Sequence, residues 1–133
     1  MSVAVKICGI TNREDAEAAE PHADYLGFVM VPASRRHISF ETLIDFSSEL
    51  FALRVAVLVN PYAALVRRLL DEHIVDIVQL HGDESPDFAR QFDRKRIWKA
   101  VHLTDRAQLA GFAAYPADRM VLDAACGGSG TIC

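Results

Sequence analysis

Two side chains in this sequence stand where a strand would release them into a site. Cys8 closes the run VAVKIC and is followed at once by Gly9, while Asp123 closes the run RMVLD near the other end of the chain. A thiolate takes up a proton near neutrality when its environment favours it, and a carboxyl group made more basic by burial can give one up. Each residue also has a plainer reading. A free cysteine is commonly a small buried hydrophobe, and an aspartate at a strand end shapes a turn or caps the next helix. The adjacent Arg35 and Arg36, in SRRHIS (34–39), are part of a solvated surface, or one of them is a planar fork for a carboxylate or phosphate. His81, in QLHG, either meets a substrate or hydrogen-bonds a neighbouring loop.

The elements that must position these groups recur along the chain. Six short β-branched runs read as strands: 3–8, 24–30, 54–59, 76–81, 96–101 and 119–124. Five stretches between them read as helices: 11–22, 39–51, 60–73, 84–92 and 104–114. Start signals accompany several of these: Thr11 with Glu14, Ser39, Asn60 before Pro61, and Thr104. Strict alternation predicts parallel strands joined by helical crossovers in a single domain, 1–133. An open doubly wound sheet and a (β/α)8 barrel share that pattern.

Side-chain parity favours the barrel. It sets Val3, Val5 and Ile7 against Lys6 and Cys8, Val78 and Leu80 against Gln79 and His81, Trp98 and Ala100 against Lys99, and Met120 and Leu122 against Asp123. The apolar set is expected under the helices and the polar set in the lumen, richest at the C-terminal mouth.

Composition narrows the classes. A net charge of -4 and scattered basic residues argue against a nucleic-acid or anionic-membrane partner. No run approaches the length of a membrane span and the N-terminus lacks a signal-peptide pattern, so a cytoplasmic protein is expected. The cysteines, Cys8, Cys126 and Cys133, have neither disulfide-framework nor zinc spacing, and no local histidine motif points to a metal.

VKICGIT (5–11), DYLGFVMVPASRRHIS (24–39), VQLHGDE (78–84) and VLDAACGGSG (121–130), in this order, resemble the phosphoribosylanthranilate isomerase family of tryptophan biosynthesis. The resemblance implies a (β/α)8 barrel and an Amadori rearrangement of N-(5-phosphoribosyl)anthranilate that needs no metal or organic cofactor. It makes Cys8 the general base and Asp123 the general acid. Arg36 becomes the holder of the anthranilate carboxylate, and Gln79 and His81 become pocket residues. The family's pattern runs on past the glycine-rich loop into strands whose loops grip the phosphate, whereas this sequence reads GGSGTIC and stops. The expectation is therefore an incomplete barrel of about six strands and five helices, lacking the C-terminal quarter to third. Six strands do not close a barrel built for eight. Self-association or a complementing fragment at the open edges is expected, and a catalytically silent assembling domain is the alternative to a phosphosugar isomerase.

Overall fold

The computed structural model describes residues 3–102 and 111–123. Six strands, β1 (Lys6–Cys8), β2 (Tyr25–Val29), β3 (Leu53–Leu58), β4 (Ile77–Leu80), β5 (Ile97–His102) and β6 (Arg119–Asp123), form one parallel sheet whose spatial order follows the chain. Each predicted run holds a strand. Only the first is markedly shorter than expected: the Val5 amide donates to the Asp24 carboxylate at 2.8 Å instead of joining a ladder, and Val3 is left 83% exposed.

Four α-helices are described, α1 (Arg13–Ala19), α2 (Phe40–Phe46), α3 (Ala63–Asp71) and α4 (Pro86–Ala89). The Ser39 hydroxyl caps α2 by accepting from the Thr42 amide at 3.1 Å, as its position predicts. At α1 the cap is Asn12, not Thr11: its side-chain oxygen accepts from the Asp15 amide at 2.8 Å. Asn60 does not cap α3. Its backbone has a positive φ of 46°, and its side-chain oxygen instead accepts from the Asp83 amide at 2.9 Å. The expected helix at 104–114 falls largely outside the described residues, as do the glycine-rich loop, Cys126 and Cys133.

On one face of the sheet the helices bury a continuous core. Val66, Leu69 and Leu70 of α3 recur at helical spacing and join Leu43 and Phe46 of α2 against Leu26, Phe28, Leu58, Val78 and Leu80. Each fully buried Leu or Phe of this kind contributes about 1.5–3 kcal/mol, against the entropy lost on ordering it.

The other face is concave, as contacts across the sheet demonstrate. In a flat sheet four steps of about 4.8 Å would hold β2 and β6 about 19 Å apart, yet the Arg119 guanidinium of β6 lies 5.3 Å from the centre of the Tyr25 ring of β2. Tyr25 also meets Trp98 of β5 edge-on at 4.9 Å. The sheet is thus the curled wall of a barrel, with β1 and β6 at its edges among the described residues.

Parity assigns the faces correctly in β1 and β4 and wrongly in β5. Trp98 is on the concave side with Val55 and Ile77, and Lys99 is on the helix side. The Lys99 ammonium is buried there at 2.8 Å from the Glu84 carboxylate, with side-chain exposures of 4% and 2%. A charge can sit beneath the helices because its counter-charge is delivered by the loop after β4.

Candidate active site

The chain leaves β1 through a turn that only glycine makes easily. Gly9 has φ +89°, and the amides of Gly9 and Ile10 both donate to the Gly27 carbonyl, at 3.0 and 3.1 Å. Any Cβ on Gly9 would lie 2.6 Å from Arg36 Cδ and 2.7 Å from its Nη1. The exposed Arg36 side chain therefore rests on the bare backbone beside Cys8, and its Nη1 donates to the Cys8 carbonyl at 3.4 Å.

Cys8 is a half-buried free thiol. Its sulfur lies over Gly27, where an added Cβ would be 2.7 Å from Sγ and 3.0 Å from Lys6 Cε. The two side chains of β1 that face the concavity therefore converge on a gap in β2 that a missing side chain provides. Burial lowers the affinity of Lys6 for its proton below the ordinary lysine value, and the charge of Cys8 acts in the opposite direction.

A band of polar groups runs from β1 across the concave face. The Lys6 ammonium donates to Gln79 Oε1, and Gln79 itself is only 2% exposed. Gln79 Nε2 meets His81 Nδ1 at 3.0 Å. His81, the first residue beyond β4, stacks edge-on with His102 at 5.2 Å, and His102 Nε2 lies 3.3 Å from the His81 carbonyl oxygen. His102 is the register partner of Asp123. Four of the five predicted site residues thus lie at or near this band, and Asp123 ends the strand at its far side. Arg36 stands at its opening beside β1.

Under the mouth, Glu84 ties three segments together. Its carboxylate accepts from the Asn60 amide at 2.7 Å, from the Gly82 amide at 2.9 and 3.1 Å, and from Lys99 at 2.8 Å. The Tyr115 hydroxyl donates to the Glu84 carbonyl at 3.0 Å. Burial, and after it the charge of Glu84, pushes that hydroxyl up to about 12.

Lys6, Gly27, His102 and the Glu84–Lys99 pair are not among the predicted site residues, although parity expects Lys6 and Lys99 in the lumen. For two of them a signal exists: a lone glycine inside a strand marks a close approach, and a lysine amid VAVKIC requires a polar partner. Among the described residues no group of three or more His, Cys, Asp or Glu side chains is arranged to hold a metal, and no helix is long and apolar enough to cross a membrane.

The profile of the N-(5'-phosphoribosyl)anthranilate isomerase family matches residues 5–132. Among curated relatives named N-(5'-phosphoribosyl)anthranilate isomerase, that of Rhodopseudomonas palustris strain HaA2 is 39% identical over 132 residues, covering 93% of this chain and 61% of the relative. That of Nitrosomonas eutropha is 42% identical over 116 residues, covering 85% of this chain and 55% of the relative. This chain thus spans about three fifths of the length of such relatives. The phosphoribosyl anthranilate isomerase of Thermus thermophilus superposes with a TM-score of 0.84 at 38% identity, covering 98% of this chain and 67% of that one. A family structure in complex with reduced 1-(o-carboxyphenylamino)-1-deoxyribulose 5-phosphate superposes with a TM-score of 0.83 at 36% identity, covering 92% and 66%.

Proposed function

We infer the function of this chain from one premise: it belongs to the N-(5'-phosphoribosyl)anthranilate isomerase family. We propose that its site carries the Amadori rearrangement of N-(5'-phosphoribosyl)anthranilate to 1-(2-carboxyphenylamino)-1-deoxyribulose 5-phosphate. The observation that carries the reading is the placement of Cys8 and Asp123 at the C-terminal ends of the first and sixth strands of a curled sheet. The two strand ends flank one concavity, across which one sugar can be bracketed.

In this reading Asp123 protonates the ribose ring oxygen, the ring C–O bond breaks, and the chain opens to a Schiff base. The Cys8 thiolate then takes the proton from C2, and the electron pair moves toward the nitrogen to give the enolamine. Tautomerisation yields the ketone, so atoms balance without an external oxidant or cofactor. Arg36, resting on Gly9 beside Cys8, holds the anthranilate carboxylate through its planar fork. Gln79 and His81 line the pocket between them.

The substrate is a small phosphosugar, and the reaction belongs to the cytoplasm, in keeping with a biosynthetic isomerase. The edges of β1 and β6, with Val3 and Leu122 at 83% and 60% exposure, support association with a second copy or a complementing fragment. Light scattering against concentration tests it: association raises the mean mass, and a constant monomer mass excludes it.

Incubation with phosphoribosylanthranilate generated in situ is the test of function. Anthranilate-type fluorescence is expected to fall with the unaltered chain, and not with Cys8→Ser or Asp123→Asn. Turnover surviving both substitutions refutes the roles assigned.

A further inference from the structure

We propose that Lys6 is a positioning residue for Cys8: its ammonium, tethered by Gln79, holds the neighbouring sulfur as the thiolate that receives the proton. The inference rests on the reading of Cys8 as the base.

The geometry begins with strand parity. Lys6 and Cys8 lie two apart on β1 and so share its concave face. Both reach over Gly27, around a point 2.7 Å from the sulfur and 3.0 Å from Lys6 Cε. The sulfur and the end of the lysine stem are thus neighbours. The lysine is held there, since its ammonium donates to Gln79 Oε1 and lies 5.8 Å from the centre of the Trp98 ring. Gln79 is buried, and its amide nitrogen is engaged by His81 Nδ1 at 3.0 Å. That bond turns the amide oxygen toward the ammonium.

The titratable or charged groups around the pair are Tyr25, Arg36, His81, His102 and Arg119. Arg36 is exposed and bonds the Cys8 carbonyl oxygen. Arg119 lies against the rings of Tyr25 and Trp98, 5.3 Å from each centre. The two histidines engage Gln79 and each other. Lys6 is therefore the half-buried cation beside the sulfur, where screening by water is weakest. Burial disfavours its charge and the sulfur's charge restores it. When the substrate C–H bond breaks and the S–H bond forms, Lys6 keeps its own proton.

Alkylation of Cys8 by iodoacetamide at neutral pH tests this, with the Cys8 peptide resolved by mass spectrometry from those of Cys126 and Cys133. Lys6→Met is expected to slow the reaction about tenfold, and Lys6→Arg to restore most of it. An unchanged rate in Lys6→Met with native Trp98 emission overturns the proposal. A second measurement leaves Lys6 in place: the 13Cε titration of Lys6 is followed in the unaltered chain and in Cys8→Ser. Its midpoint is expected to fall when the sulfur is removed, and an unmoved midpoint likewise overturns the proposal. Neither readout depends on turnover. Failure of Cys8 as base appears instead as isomerase activity persisting in Cys8→Ser.

Discussion

Glu84→Gln removes one side chain and disturbs three segments, and the structure fixes the size of the effect. The Glu84 carboxylate is the shared acceptor for the amides of Asn60 and Gly82 and for the Lys99 ammonium, with side-chain exposures of 2% and 4% for the ion pair. In the glutamine variant one acceptor oxygen becomes an amide donor facing other donors, and the Lys99 charge loses its counter-charge while keeping the Gly82 carbonyl and the Tyr115 ring. Removing one partner of a buried pair costs about 3–5 kcal/mol, a large share of the roughly 5–15 kcal/mol that holds a typical domain together. Lys99→Met is the milder change. It leaves a carboxylate still bonded to two backbone amides, so a loss of about 1.5–3 kcal/mol is expected. The double variant removes donor and acceptor together and should lose about 2 kcal/mol less than the sum of the single losses. Urea unfolding followed by the fluorescence of Trp98, the one tryptophan, reads all three stabilities. A Glu84→Gln loss below about 1 kcal/mol, or strict additivity in the double variant, refutes the view that this pair anchors the loops under the mouth.

Three other outcomes are expected from the same geometry. Gly27→Ala places a Cβ 2.7 Å from the Cys8 sulfur and 3.1 Å from its Cα. It is expected to cost about 1–3 kcal/mol in urea unfolding and to alter the alkylation rate of Cys8. Gly9→Ala forces a side chain onto a φ of +89° and against the Arg36 stem. A stability loss of about 1–2 kcal/mol is expected, and the proposed role of Arg36 predicts a raised KM for phosphoribosylanthranilate. At alkaline pH the two shifted groups act with opposite signs. Tyr115, pushed up to about 12 from 10, stays protonated in the folded chain while the unfolded chain ionises, so its stabilisation is complete below pH 10 and is lost as the pH climbs through about 12. Lys6 is held below 10.5, so the unfolded chain binds the extra proton in the window beneath that value, and stability gains as the pH rises through it. Urea midpoints measured across these windows check both signs: Tyr115→Phe should abolish the alkaline loss and Lys6→Met the gain.

The strands were legible because local chemistry decides them: β-branched runs bounded by polar turns hold each of the six. Helix starts were legible where one candidate cap stood alone, as at Ser39. They were less so where Thr11 and Asn12 competed, or where Asn60 had a distant use in bonding Asp83. The fifth strand shows the limit of parity. Trp98 and Lys99 exchange faces relative to expectation because a carboxylate from another segment neutralises the lysine and lets it lie under the helices. Nothing within RIWKAV carries that information. The same holds for the site. Cys8 and His81 stood out by type and position, and the resemblance singled out Arg36 and Gln79, whereas His102 acquires its place only when the sheet sets β4 and β5 side by side. Lys6 acquires its partner Gln79 only across 73 residues of sequence.

The order of the sheet also bears on how the molecule is made. Every described strand lies beside the one synthesised just before it, so each new strand meets a template already in place and the ladder can lengthen in step with translation. Such pairing keeps loop-closure distances short, and this favours rapid growth of the sheet. The contacts of Arg119 with Tyr25 and Trp98 are different, because they become available only once β6 has joined. In folding terms the sheet is assembled by neighbours and bent by strangers: contacts between strands far apart in order, such as Tyr25 with Trp98 and with Arg119, hold the curvature.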